Sequence, residues 1–429
     1  DSSAATNTLP ATVVTTTGTQ TLTNKNIVAS QLTGTVATSN LGTGTADTTT
    51  FLRGDQTYAS ATPAADSITT SQLAYNPNPF RNIIINGDMS IAQRGTSVSS
   101  ISSGGTYNTV DRFRFALGTA GTWTQSQDTD VPSGQGFAKS LKMDCTTANA
   151  SLSAGSYMNL QYKFEGQNLQ YLKKGTANAE STTLSFWVKS NKTGTYNIVL
   201  RDTDNSREIG NTYTIDSAST WEKKTITFAG DTSGAFDNDN SASLTIFFWL
   251  AAGSDYTSGT LQTSWGSVVS ANEAVGQVNL ADNTANEWFI TGVQLEAGTS
   301  ASDFEFLPYD VSLNRCYRYY YKMASSGLRY VGWGQVDNDN NNIVAYIDFK
   351  TNMRAAPSAV ETTGSASNYQ IREALTYTCS AVPTFNNADL WYSAVSFKKS
   401  GITSSNGFAQ GEMLKCGTNS GYLAWSAEL

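Results

Sequence analysis

From Arg81 to Leu429 the chain is written in short runs of β-branched and aromatic residues, broken every few positions by Gly, Asn, Asp or Ser. Runs of that length between turn formers read as strands, and little else fits them. They occur at Tyr157–Phe164, Thr183–Lys189, Tyr196–Arg201, Trp221–Phe228, Leu244–Ala251 and Trp288–Leu295. Leu184, Phe186 and Val188 alternate with Ser185, Trp187 and Lys189, the period of a strand with one face on a core. Phe113, Phe115 and Leu117 alternate in the same way with Arg112 and Arg114. Leu244–Ala251 is apolar on both faces and reads as a central strand. Ile83, Ile84 and Ile85 form a compact run that suits a buried strand, stopped by the turn residues Asn86, Gly87 and Asp88. Charged residues are only 14% of the chain, against about 25% in an ordinary domain, so the surface residues that build long helices are scarce. The expected fold class is all-β, with a two-sheet sandwich of jelly-roll type at its centre.

The texture changes upstream of Arg81. Between Ala11 and Thr23 seven of thirteen residues are Thr, and residues 1–78 hold three aromatics, Phe51, Tyr58 and Tyr75. Such a segment has too little apolar surface to offset its own ordering entropy. Yet Leu22, Ile27, Leu32, Val36, Leu41 and Leu52 recur along it, which a plain linker does not need. The reading is an extended stalk that buries these side chains against other copies of the chain. Asn76–Phe80, NPNPF, holds an extended connector. Three regions follow: a Thr/Ser/Gly-rich stalk at 1–78, a jelly roll at 79–312 and a second, smaller β-sandwich at 313–429. In the last, LNRCYRYYYKM (313–323) reads as a strand with Tyr317, Tyr319 and Tyr321 on one face. Further strands are expected at Arg329–Gln335, Ile343–Phe349, Leu390–Phe397 and Tyr422–Leu429.

Charge and composition remove several functions. The formal net charge is −8 and no Lys/Arg cluster stands out, which argues against nucleic acid and an anionic membrane surface. No apolar run is long enough to insert in a membrane as a helix. The chain has no histidine, so Ser-His-Asp and Cys-His catalysis and a structural zinc site are not expected. Cys145, Cys316, Cys379 and Cys416 read as thiols, with one disulfide within the last three as the alternative. A hydrolase would need paired carboxylates. Glu165, Glu287 and Glu296 are the candidate acids, and each reads as structural or exposed. Asp237–Asn240 reads as a solvated hairpin tip.

Sugar binding needs an aromatic face against C–H groups, with Asn, Asp and Gln around the hydroxyls. Two places offer both. Trp333 precedes the polar run Asp337–Asn342, with Asp337, Asp339 and Asn341 as candidates. Asp389, Trp391 and Tyr392 form the second group. The competing reading makes Trp333 and Trp391 core residues beside solvated turns.

Several motifs resemble a known family. TTTGTQTLTNKNI (15–27) and SQLTGTVATSNLGTGTADTTTFLRGDQTYAS (30–60) are similar to shaft segments of bacteriophage tail fibres. NIIINGDMSIAQRGTS, DRF, TQSQDTDVP and WFITGVQLEAGTSASDFE resemble the large domain of such proteins. RCYRYYYKM, FKTNMRAAPSAV and the terminal SAEL resemble the domain that follows it. The resemblance implies a homotrimeric component of the virion tail, made in the host cytoplasm. Its N-terminal side would join other phage tail proteins, and its C-terminal half would adsorb to a host-surface polysaccharide or lipopolysaccharide. A tail-borne depolymerase and a purely structural spacer remain the alternatives. NGD and ITGVQLE also resemble carbohydrate-binding jelly rolls, which hold a structural Ca²⁺ with two Asp before the late Val. Here those positions are Thr291 and Gly292, leaving Asp88 and Glu296 as oxygen ligands.

Overall fold

The computed structural model describes Thr43, residues 50–52 and 57–60, and then residues 80–324, 329–336, 342–372, 376–399, 412–416 and 421–429. The chain divides into two compact units, Asp1–Ile68 and Thr69–Leu429. In the first, Thr50–Leu52 pairs antiparallel with Tyr58–Ser60. Thr43 forms a parallel bridge with Thr57, and the remainder of the expected stalk lies outside the described residues.

The second unit opens with a curled antiparallel sheet. Its strands are β1 (Ser97–Thr106), β2 (Phe113–Asp128), β3 (Ser140–Thr147), β4 (Tyr157–Glu165) and β5 (Thr182–Ser190). They continue with β6 (Gly194–Asp202), β7 (Arg207–Ile215), β8 (Glu222–Phe228), β9 (Ala242–Ala252) and β10 (Glu287–Ala297). The order is β8-β5-β10-β3-β2-β4-β9-β6-β7, with β1 added on β2. The sheet folds over at β2. Its first half pairs with β4 and its second with β3, and Thr119 and Gly121 between them have positive φ. Two layers then face one another. The ring of Phe186 on β5 meets Tyr213 of β7 at 5.1 Å and Phe248 of β9 at 5.5 Å across the core. Phe113, Phe115 and Leu117 and Leu184, Phe186 and Val188 face the core as expected, but the alternation in burial does not hold, since Arg112, Ser185 and Lys189 are buried on the other side. β9 is central, paired on both sides.

Three expectations need correction. Ile83–Ile85 is no strand. The Asn82 carboxamide oxygen accepts from Ile84 N and from Leu295 N, so a side chain takes the place of a ladder. Residues 309–317 form a helix, α1 (Tyr309–Tyr317), and not part of a strand. Ser312 and Cys316, four apart, bury one helical face, and that period overrides the alternation of the tyrosines. Asp237–Asn240 is no hairpin tip, because β8 and β9 are not neighbours. It reaches the C-terminal region instead, where Arg354 Nη1 donates to Asn240 O at 2.8 Å.

The NGD turn and the ITGVQLE strand lock together. Ile83 N donates to Leu295 O and Val293 N to Gly87 O, at 3.0 and 2.9 Å. A Cβ on Gly87 would sit 2.0 Å from Val293 O, which accounts for glycine there. Asn86 holds φ 63° and donates from its amide to Ile91 O and Asp111 O.

Beyond α1 lie β11 (Tyr320–Ala324), β12 (Arg329–Val336), β13 (Asn342–Asp348), β14 (Tyr369–Arg372) and β15 (Thr376–Thr378). The last strands are β16 (Thr384–Ala388), β17 (Tyr392–Lys398), β18 (Glu412–Cys416) and β19 (Tyr422–Ser426). Seven of them form one sheet, β15-β14-β18-β12-β13-β17-β16, and β11 pairs with β19 in a smaller one. Ile343, Ile347, Val395 and Phe397 from the first sheet and Tyr321, Leu423 and Trp425 from the second share one core. This is a second sandwich.

Charge and burial join the two sandwiches. Arg112 is fully buried, with Tyr319 3.4 Å beneath its guanidinium; Nη1 is paired with Glu428 and Nη2 donates to Lys163 O. Glu165 accepts both arms of Arg318, at 2.7 and 2.6 Å, and the Tyr319 hydroxyl. Burial alone would push the Glu165 carboxyl up, but these donors together hold it below the ordinary value. Asp111 accepts from Gln93 N and Nε2 while almost wholly buried, and burial raises its carboxyl to about 6.

Candidate functional site: the aromatic face of the C-terminal sheet

The register of the seven-stranded sheet decides which side chains face out. Gly334 of β12 stands opposite Ala345 of β13, and Ala345 is buried in the core with Ile343 and Ile347. The alternate residues, Trp333 and Tyr346, therefore share the outer face. Tyr392 of β17 pairs with Asp348, two residues from Tyr346, and so joins that face. The Tyr346 and Tyr392 rings lie 5.7 Å apart at 55°. Trp333 is 64% exposed, Tyr346 62% and Trp391 59%. These are core-sized rings left in water on the sheet and at its border. The competing reading of Trp333 and Trp391 as core residues is overturned.

Polar groups border the rings. Gln335 and Asp348 are exposed on β12 and β13. Ser396 of β17 donates to the Asn386 carboxamide oxygen at 2.8 Å, which leaves the Asn386 amide toward solvent. Asp389 sits in the turn between β16 and β17: its N donates to Tyr392 O, and its own Oδ1 accepts from Leu390 N. The structure thus places Trp333 and Tyr392 on one face and Trp391 and Asp389 on the turn at its border. Asp337, Asp339 and Asn341 lie outside the described residues. Tyr346 was missed by the sequence reading, although the buried series Ile343, Ala345 and Ile347 around it signals an outward Tyr346.

Such a face can stack against the C–H side of a sugar ring and offer amide and carboxylate groups to its hydroxyls. The candidate acids stand elsewhere in ion pairs: Glu287 with Lys142 at 2.8 Å, and Glu165 with Arg318 as above. Glu296 accepts from Gln294, from Ser302 N at 2.8 Å and from Ser302 Oγ at 2.7 Å. Asp88 accepts from Ser90 Oγ at 3.1 Å. The two metal candidates are thus each held by donors of their own. Among the described residues no group of three or more Cys, Asp or Glu side chains converges on one point.

No protein-family model matches the sequence, and no curated protein matches it. Among solved structures, the chain is similar to the enzymatically active domain of tailspike protein 4 from bacteriophage CBA120. It has 14% identity over 51% of this chain and 22% of that one, with a TM-score of 0.28. A putative sugar-binding protein from Bacteroides thetaiotaomicron is similar at 10% identity over 50% of this chain and 99% of its own, TM-score 0.28. A family 11 carbohydrate-binding module from Clostridium thermocellum, in complex with a mixed-linked tetrasaccharide, is similar at 13% identity. That match spans 48% of this chain and 99% of the module, with a TM-score of 0.23.

Proposed function

We propose that this chain is a tail-fibre adhesin that binds a bacterial surface polysaccharide through the outer face of its C-terminal sheet, without cutting it. The observation that carries the reading is the exposure of Trp333, Tyr346 and Trp391 on and beside one sheet face. Large rings in water cost solubility and are kept where something covers them. The flanking Gln, Asn and Asp suit hydroxyl groups better than an apolar partner. The tail-fibre part rests on the sequence resemblance. In this reading the fibre is a homotrimer of the virion tail, joined to other tail proteins on its N-terminal side. Weak single contacts then add by avidity, roughly 10²–10⁴-fold, without new contacts.

The test is binding of the full chain to a panel of immobilised bacterial polysaccharides, before and after periodate oxidation, with released reducing sugar monitored. Binding that is lost on oxidation and weakened by Trp333→Ala supports the reading. Sugar release moves the assignment to a depolymerase. Absence of binding from a confirmed oligomer leaves a structural spacer. A stable monomer of the full chain at micromolar concentration, read by mass in solution, removes the trimer.

A further inference from the structure

At the junction between the two sandwiches lies a partly open cavity of about 380 Å³, within the range of small-molecule sites. Four cationic residues line it, Arg112, Lys163, Arg315 and Arg318, against one carboxylate, Glu165. That is an unusual concentration in a chain whose net charge is −8. Two of the four are compensated, Arg318 by Glu165 and Arg112 by Glu428. Among the described residues, Arg315 and Lys163 have no carboxylate within ion-pair distance. The Arg112 Nε, fully buried, has no hydrogen-bond partner among the described residues. Burial first, and then the neighbouring Arg114, Arg112 and Arg354, press the Lys163 ammonium below its ordinary range, with Glu428 opposing them. At the rim stand two bare rings, Phe80 and Tyr171.

We infer that this cavity is a second binding site, for an oxyanion carried by a saccharide: the carboxylate of an acidic sugar or the phosphate of a phosphorylated one. The guanidinium of Arg315 supplies the charge and a planar fork for two oxygens. The Tyr171 and Phe80 rings supply a surface for the C–H face of the sugar. Arg318 is held by its bidentate pair to Glu165, so it shapes the wall and leaves Arg315 to receive the ligand. The identification of the carrier as a saccharide rests on the proposed function above, whereas the oxyanion rests on the cavity alone. The site is separate from the Trp333 face and would give one fibre two points of contact on an acidic polysaccharide.

The experiment is isothermal titration of the full chain with sodium glucuronate, inorganic phosphate and glucose at constant ionic strength. The variants are Arg315→Gln, Tyr171→Ala and Trp333→Ala. Arg315 is half-buried and without a partner carboxylate, so Arg315→Gln folds, and an unchanged thermal transition checks that. Glucuronate or phosphate binding that falls at least tenfold in Arg315→Gln and is unchanged in Trp333→Ala is the expected result. If phosphate binds and glucuronate does not, the oxyanion is a phosphate. If glucuronate binds and weakens in Tyr171→Ala, it is the carboxylate of an acidic sugar. Glucose binding as tightly as glucuronate, no heat from either anion at tens of millimolar, or no effect of Arg315→Gln each overturns the site. Failure of the polysaccharide panel with retained, Arg315-dependent anion binding removes the proposed function and leaves the cavity site standing.

Discussion

Two sheet faces in this protein carry the same kinds of side chain and treat them oppositely. On the outer face of β6 and β9, Val199 and Trp249 are buried, although the core lies on the other side of the sheet. Residues 253–278 cover them, with Tyr256 packed on Trp249 at 5.0 Å and Ala274 beside it. On the outer face of β12 and β13, Trp333 and Tyr346 have no such cover among the described residues. A long connection is what the jelly roll adds to roof its second face. In the C-terminal sheet, no connection among the described residues buries the corresponding rings. Among the described residues, the chain covers one such face and leaves the other exposed.

The sharpest way to break the comparison is to delete one tryptophan from each face. Trp249→Ala should cost about 3–5 kcal/mol, the range for removing a large buried ring and leaving a cavity. Denaturant melts followed by Trp fluorescence and circular dichroism would read it. A cost below about 1 kcal/mol would mean that the 253–278 cover is loosely held, and the contrast between the faces would fail.

Gly87→Ala comes next. A Cβ at that position meets the Val293 carbonyl oxygen at 2.0 Å, backbone against backbone, and the loss should be about 2–3 kcal/mol. It should also weaken protection of the Val293 amide in hydrogen exchange, since that amide donates to Gly87 O. A neutral Gly87→Ala would show that the turn and β10 are not locked as described.

How legible was this arrangement? The jelly-roll strands were, because Leu184, Phe186 and Val188 advertise their face by simple alternation. The helix at Tyr309–Tyr317 was not, because Tyr317, Tyr319 and Tyr321 alternate too, and only the tertiary core shows that Cys316 is the inward residue. Ile83–Ile85 misled for a related reason: burial was read correctly for Ile84 and Ile85, but Asn82 replaces the ladder with a side chain. At the site, Trp333, Trp391 and Tyr392 were singled out by aromatic groups beside polar runs. Tyr346 and Arg315 were passed over. Neither lies in a run that looks chemical, and both acquire meaning from register or from cavity walls. The partners of the buried Arg112 and Glu165 were out of reach, since Glu428 and Arg318 lie 316 and 153 residues further along the chain.

The Asp111 carboxyl offers a smaller test at the joint between the sandwiches. Burial raises it from an unfolded value near 3.8 to about 6, so the folded state binds the extra proton between those values. Its stability is therefore greatest below the unfolded pKa and falls as pH rises through about 6. Asp111→Asn should flatten that part of the pH profile and gain on the order of 1–3 kcal/mol at pH 7, at about 1.4 kcal/mol per unit. Glu165 works the other way, its contribution being lost as pH falls through its lowered value. A pH profile of Asp111→Asn parallel to the parent between pH 4 and 6.5 would show that Asp111 is not the group responsible.

The smallest stability change belongs to the open face. Trp333→Ala and Tyr346→Ala should each leave the melting transition within about 0.5 kcal/mol, as substitutions of exposed side chains do. The same changes should weaken polysaccharide binding about tenfold each, equivalent to about 1.4 kcal/mol of binding free energy. The dissociation between the two readouts is the point. A ring that stabilised the fold would move the melt along with the binding, and a ring that did neither would be ornamental. Trp249→Ala moves the melt. If Trp333→Ala moves binding alone, then the difference between a covered and an exposed face is a difference of function.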